Sequence, residues 1–309
     1  MFCKNCGKEV NYKSAFCKEC GVPMPHRANF GSWFRAHKKG LIISILIITF
    51  FIWIYSDSET SDYNYDSSDN FDYSTENTSP TPSYTQDEIA ASVVNILCPG
   101  IEDDFSDATG GSGTIITSDG VILTNSHIIP QDSDGNPLTD TCLVILPNPQ
   151  TGKPEEMYYG TPVIVPILSS EYDIAAVTID EPYVDDEGII YGSYSKVFPA
   201  FDDTYRCVDE NIKLGEPIRI FGYPAISGGY SLTITDGIVS SFPGEGLIIT
   251  SAKISYGNSG GLAVDRYGCM IGIPSMISGD EYESLGVIIS SSLVYEFVDR
   301  VDALLRLLQ

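Results

Sequence analysis

Ser259 sits among small residues in Tyr256-Gly-Asn-Ser-Gly-Gly261. Small neighbours permit a sharp turn and the close approach of another backbone. Such a turn can aim the Gly257 and Ser259 amides at one point, which an acyl-transfer oxyanion requires. A serine becomes a nucleophile only beside a base, and beyond residue 40 the chain has one histidine, His127, which closes the run Val121-Ile-Leu-Thr-Asn-Ser126. Each feature taken alone has a plainer reading. Gly-Asn-Ser turns are frequent in β proteins, and a single histidine carries little specificity.

A second set of reactive residues lies near the start. Cys3-x-x-Cys6 and Cys17-x-x-Cys20 form two paired-cysteine knuckles, with Gly7 and Gly21 after each second cysteine. Two tight turns of this kind present four thiolates at tetrahedral corners, which suits Zn²⁺. Four cysteines leave no open coordination position, so the expected role is structural. A redox dithiol and a disulfide pair are the alternatives. Residues 1–25 resemble a short zinc ribbon, too small for a core, whose folding free energy metal binding would supply.

The elements that must carry these groups show first in the charge. The 309-residue chain has a formal charge of -25, unevenly spread. Eight basic residues face two acidic ones in the first 40 positions, and residues 41–55 carry no charge. From Ser56 onward forty acidic residues face nine basic ones, which excludes nucleic acid as a partner of that part because phosphate repels it. Leu41 to Tyr55 reads LIISILIITFFIWIY. Its Leu, Ile and Phe residues together favour membrane insertion by roughly 3–7 kcal/mol. We expect one transmembrane helix over 40–55, flanked by a basic juxtamembrane segment over 26–39. A cleaved signal peptide would discard the cysteine knuckles, and no clear small-residue cleavage site follows the apolar run. The positive-inside rule then places the N-terminus in the cytoplasm and everything after Tyr55 outside, as a single-pass cell-membrane protein. Residues 56–84 are rich in Ser, Thr, Asp and Asn without Leu, Ile or Val. That composition predicts a disordered acidic linker.

Residues 85–309 are long enough for one domain. Short β-branched runs alternate there with turn signals: 113–118, Asp119-Gly120, 121–124, 142–146, 218–222, 232–235 and Asp236-Gly237. This pattern predicts an all-β barrel or sandwich. Only the ends read as helical, over 86–95 and over 292–308, where Leu293, Phe297, Val301, Leu304 and Leu308 share one face.

Five blocks in order resemble the HtrA/Deg branch of the trypsin-like proteases across nearly all of 86–309. They are Gly110-Gly-Ser-Gly-Thr-Ile through Asn125-Ser-His127, Tyr172-Asp-Ile-Ala-Ala-Val177, Gly215-Glu-Pro-Ile-Arg-Ile-Phe-Gly-Tyr-Pro224, Thr235-Asp-Gly-Ile-Val-Ser240 and the Ser259 loop. The resemblance implies a double β-barrel with a C-terminal helix and a site between the barrels. It assigns base, orienting carboxylate and nucleophile to His127, Asp173 and Ser259, and the oxyanion donors to the Gly257 and Ser259 amides. Asp173 directly precedes the apolar run 174–177, which suits a carboxylate at a barrel edge, while Glu171 and Asp180 are nearby rivals. Lys253, Ile254, Ser255 and Ile273 are candidate walls of a substrate pocket, mostly apolar, for a small or medium aliphatic residue. No catalytic cofactor is expected.

The chain also departs from the family pattern. Asn258 replaces the carboxylate that pairs with a newly cut amino terminus in trypsin-like zymogens, so activation by that ion pair is not available. Ile128 and Ser255 stand where secreted digestive proteases have cysteines. Cys98, Cys142, Cys207 and Cys269 could pair in three ways or stay reduced. Residues 181–214 read as an inserted acidic surface loop, and the chain is expected to lack the PDZ domain that usually follows in the family. The expected function is a membrane-anchored endopeptidase acting on extracytoplasmic proteins or peptides. Its partners would be its substrates, the membrane, a cytoplasmic protein recruited by the zinc ribbon and, by analogy with the family, two further copies in a homotrimer. The alternative is a non-catalytic transmembrane sensor or scaffold that uses the ribbon to bind its cytoplasmic partner.

Overall fold

The computed structural model describes residues 84–100, 108–194, 197–201, 212–275 and 285–307. The zinc-ribbon, juxtamembrane, transmembrane and linker assignments lie outside the described residues, apart from Tyr84. Among the described residues no helix is long and apolar enough to cross a membrane.

The domain opens with helix α1, Gln86–Ser92. Thr85 caps it reciprocally with Glu88: the Glu88 N–H donates to Thr85 Oγ1 at 3.3 Å, and the Thr85 N–H donates to Glu88 Oε2 at 2.8 Å. The helix ends three residues before the predicted stop, because the β-branched Val93-Val94 pair enters strand β1, Val93–Cys98. Five more strands follow: β2, Thr109–Ile115; β3, Val121–Thr124; β4, Cys142–Pro147; β5, Pro154–Val163; and β6, Ala175–Pro182. They close an antiparallel barrel in the order β1-β2-β3-β6-β5-β4.

The second half repeats the arrangement. Its strands are β7, Pro217–Gly222; β8, Thr233–Gly244; β9, Leu247–Thr250; β10, Leu262–Asp265; β11, Met270–Ser275; and β12, Gly286–Ser290. They close a second antiparallel barrel in the order β7-β8-β9-β12-β11-β10. Closure leaves neither sheet with a free edge to protect.

Three apolar clusters hold these parts together. Val94, Ile96, Ile115, Ile122, Val144 and Val177 fill the first barrel. Ile218, Ile220, Val239, Ile248, Ile271 and Ile288 fill the second. A third cluster joins the two, with Val93, Leu123 and Ile174 from the first barrel meeting Phe221, Leu262, Ile273 and Ile289 from the second. Val294 and Phe297 of the C-terminal helix α3, Ser291–Leu307, complete this seam. In the sequence order a helix α2, Pro166–Tyr172, precedes α3. It lies outside the predicted helices, and Pro166 can open it because a proline at the first helical position is well tolerated.

Two further expectations change. Asp236-Gly237 is no turn; it lies inside β8, with Gly237 opposite Ile218. A Cβ on Gly237 would come within 2.1 Å of the Ala252 backbone nitrogen, so this glycine serves a close backbone approach. Residues 181–214 are not simply a surface loop either. Asp185 ties a small turn by accepting from the Glu187 and Ile189 amides and the Tyr191 hydroxyl, while Phe198 and Phe201 are buried in the first barrel and the seam.

Of the pairings left open for the cysteines, Cys98 bonds to Cys142, joining the ends of β1 and β4 across 44 residues of chain. Cys269 is also disulfide-bonded. Ile128, at the position of a digestive-protease cysteine, lies over Gly111, where a Cβ would come within 2.4 Å of its Cδ1.

Phe297 is 4% exposed in the seam. Its replacement by alanine is expected to cost about 3–5 kcal/mol. Urea unfolding of Phe297→Ala followed by circular dichroism checks this, with a loss below about 1 kcal/mol showing that the seam does not depend on α3.

Candidate active site

Asp173 is the residue at which α2 stops. It adopts φ 53°, ψ 39°, the left-handed region that aspartate tolerates better than most residues. Its backbone carbonyl accepts from the Ser126 N–H at 3.2 Å and from Asn125 Nδ2 at 2.7 Å, which locks this corner to the end of β3. A short 3₁₀ turn over Ser126–Ile128 then carries His127 past the carboxylate.

The carboxylate is well supplied with donors. His127 Nδ1 lies 3.0 Å from Asp173 Oδ1 and 2.9 Å from Oδ2. The His127 backbone N–H donates to Oδ1 at 3.2 Å, and Ser275 Oγ donates to Oδ2 at 3.0 Å. Ser126 Oγ has one proton to share between Oδ1 and the Ser169 carbonyl, each at 3.0 Å. Burial pushes the Asp173 carboxyl up, but the hydrogen bonds and charge of His127, with the Ser275 hydroxyl, outweigh it and hold the group below the ordinary carboxylate range. When the imidazole is neutral, an ionised Asp173 accepts a proton-bearing Nδ1, and that tautomer leaves Nε2 as the acceptor.

Ser259 belongs to the second barrel and reaches this corner through its loop. Gly257 and Gly260 take φ values of +94° and +83°. A Cβ on Gly257 would lie 2.2 Å from the Tyr223 carbonyl, and one on Gly260 would lie 2.1 Å from the Ser112 carbonyl and 3.1 Å from the Asn125 nitrogen. Only glycines let the turn settle against the strand end that leads into His127. The Ser259 carbonyl accepts from the Ser112 N–H at 2.8 Å, across the two barrels.

The amides of Gly257 and Ser259 are oriented from behind. The Ala225 N–H donates to the Tyr256 carbonyl at 2.7 Å, and the Gly261 N–H donates to the Asn258 carbonyl at 3.1 Å. In a trans peptide the C=O and N–H point in opposite directions. Each bond therefore turns the following N–H, of Gly257 and of Ser259, away from the donor that fixes the peptide.

The two rival carboxylates have partners away from this centre. Glu171 pairs with Arg300 at 3.3 Å, and Asp180 accepts from Thr161 Oγ1 at 2.8 Å. Lys253 is exposed, Ile254 packs over Gly286, and the Ser255 carbonyl accepts from the Asn258 N–H at 2.9 Å. Ile273 is fully enclosed in the seam and presents no surface as a pocket wall, because β11 turns it toward Ile289. Asn258 is buried, its side chain 3.4 Å from the Lys253 carbonyl. Sequence reasoning missed Ser126 and Ser275 as partners of Asp173. Nothing in their spacing marks them, since they converge only when the barrels close.

The lowered Asp173 titration has a direction that can be checked. An unfolded aspartate titrates near about 3.9. Its native interactions stabilise the fold fully above that value, and the contribution is lost as pH falls through the depressed native one. Urea midpoints of wild type and Asp173→Asn, measured from pH 6 to pH 2.5, are expected to converge as the pH falls. A gap that stays constant or widens would show that the carboxylate is not held ionised.

Comparison with known proteins agrees with this geometry. Residues 111–273, more than half of the chain, match the family described as "Trypsin-like peptidase domain". A "Probable periplasmic serine endoprotease DegP-like" of Brucella suis biovar 1 is 29% identical over 202 residues, 62% of this chain and 32% of its own length. The "Periplasmic serine endoprotease DegP" of Escherichia coli strain K12 is 28% identical over 188 residues, 57% of this chain and 32% of its own. The chain thus spans about a third of the length of these curated relatives. The crystal structure of the serine endoprotease from Yersinia pestis superposes with a TM-score of 0.51 at 25% identity, covering 74% of this chain and 68% of that one. With two six-stranded barrels and a family match over most of both, the chain belongs to the trypsin-like peptidases.

Proposed function

We propose that the chain is a membrane-anchored serine endopeptidase of the DegP/HtrA type that hydrolyses peptide bonds of extracytoplasmic proteins. The observation that carries this reading is the contact of His127 Nδ1 with both Asp173 carboxylate oxygens, at 3.0 and 2.9 Å, beside the docked Ser259 turn.

In this reading His127 Nε2 takes the Ser259 hydroxyl proton as Oγ bonds to the substrate carbonyl carbon, and the carbonyl electrons move onto oxygen. The Gly257 and Ser259 amides stabilise that oxyanion. As the C–N bond breaks, His127 returns the proton to the leaving amine, and an acyl ester remains on Ser259. Water then attacks the ester, giving one proton to His127, which restores it to Ser259 Oγ as the acid product leaves. Asp173 keeps the imidazole in its working tautomer and stabilises the imidazolium without itself taking the proton. Lys253, Ile254 and Ser255 form the wall that selects the residue before the cut, which we read as small or medium aliphatic.

Three observations support a site outside the cytoplasm. The curated relatives carry the word periplasmic in their names. The Cys98–Cys142 disulfide belongs to an oxidising compartment. The uncharged run 41–55 follows a basic segment, as in a single span with its N-terminus inside. Cys3, Cys6, Cys17 and Cys20 are a thiolate donor set suited to structural Zn²⁺ on the cytoplasmic side, and no catalytic step passes through the metal.

Full-length protein in detergent is expected to label with a fluorescent fluorophosphonate and to cleave casein, with both lost in Ser259→Ala. An unlabelled, folded wild type would sink the proposal. The metal assignment is checked by elemental analysis of the same preparation: one zinc per chain is expected, lost in Cys3→Ser, and a metal content unchanged by that substitution would refute it.

A further inference from the structure

We propose that Ser112, in the first barrel, is a positioning residue that holds the nucleophile turn of the second barrel in its oxyanion-binding shape. The inference rests on the peptidase reading above. Ser112 lies in β2 and is fully buried. Its hydroxyl donates to the Gly257 carbonyl at 2.6 Å and accepts from the Tyr223 N–H at 2.9 Å. The Tyr223 donor occupies the acceptor side of the hydroxyl, so the single proton is committed to Gly257.

The same residue holds the turn at two points. Its side chain fixes the Gly257 carbonyl and its N–H fixes the Ser259 carbonyl at 2.8 Å, so Asn258 is gripped between them. Gly257 needs such a grip. At φ +94° and without a Cβ it has little intrinsic preference for one orientation of the following peptide. Rotation of that peptide would swing Asn258 and carry the Ser259 amide away from the oxyanion, while the Gly257 amide stays set by the Tyr256 carbonyl.

The surroundings are shaped for the hydroxyl. A Cβ on Gly222 would come within 3.0 Å of Ser112 Oγ and 2.8 Å of Asn258 Oδ1, so the bare glycine lets both side chains approach the turn. Pairing of β2 with β1 at Asn95 is a backbone matter that alanine at 112 would satisfy equally. The hydroxyl is therefore the part of Ser112 that the strand does not require.

Three full-length proteins test this: wild type, Ser112→Ala, and Ile96→Val as a variant that weakens the first-barrel core away from the turn. Each is assayed for kcat and KM on fluorescent casein, for the rate of fluorophosphonate labelling and for Tm. Ser112→Ala is expected to lower kcat about 10- to 100-fold, with KM within about two-fold of wild type and labelling slowed in proportion. Ile96→Val is expected to keep kcat whatever its Tm. The proposal is overturned if Ser112→Ala labels and turns over within about two-fold of wild type, or if its loss matches only the fraction unfolded. A wild type that fails to label overturns the peptidase reading and this inference with it, a pattern distinct from an active wild type with an unaffected Ser112→Ala.

Discussion

Half-burying a carboxylate, as at Asp173, whose side chain is 34% exposed, costs desolvation free energy that well-placed donors can offset. The donors that keep it ionised come from separate parts of the chain: Ser126 and His127 after β3, and Ser275 at the end of β11. Ser126 and His127 share the first barrel with Asp173, whereas Ser275 reaches it from the second and donates only when the two barrels are docked. The carboxylate thus links His127 to the docking of the second barrel. A loosened seam would remove the Ser275 hydroxyl from the carboxylate and leave His127 as its chief support.

The approach to Asp173 is braced from the far end of the sequence. The Tyr172 hydroxyl donates to Glu296 Oε1 at 2.7 Å and accepts from Arg300 Nη1 at 2.6 Å, while its ring meets Phe297 edge-on. The residue immediately before the left-handed turn is therefore clamped by α3. The exposed ion pair of Arg300 with Glu171 contributes little by itself. Apolar burial of Tyr172 and Phe297 supplies most of the attachment, and the polar contacts fix its register.

Much of this was legible in the residues. The glycines around Ser259 declared a tight turn, the lone histidine beyond the apolar segment limited the choice of base, and alternating β-branched runs announced an all-β domain. What stayed hidden follows from how tertiary structure overrides local signals. Asp236-Gly237 has the composition of a hairpin turn, yet Gly237 is there because the Ala252 backbone passes too close for a side chain. Pro166 begins a helix that lies outside the predicted ones. Ile273 looks like a cleft wall, but the seam encloses it. Ser112 and Ser275 are ordinary serines until strands separated by more than a hundred residues bring them to Gly257 and Asp173.

The two barrels share one strand order and keep separate interiors, with a third cluster between them. This divides the protein's tolerance of sequence change into zones. Substitutions in one barrel interior have no partners in the other, so their effects on stability add and each interior is free to drift alone. Seam positions such as Leu123, Phe221 and Ile289 answer to both halves at once, so a change in one is tolerated only when its opposite number changes too. A lineage carrying this fold would show two independently varying cores joined by a slowly changing hinge of paired residues, and the catalytic corner lies on that slow boundary.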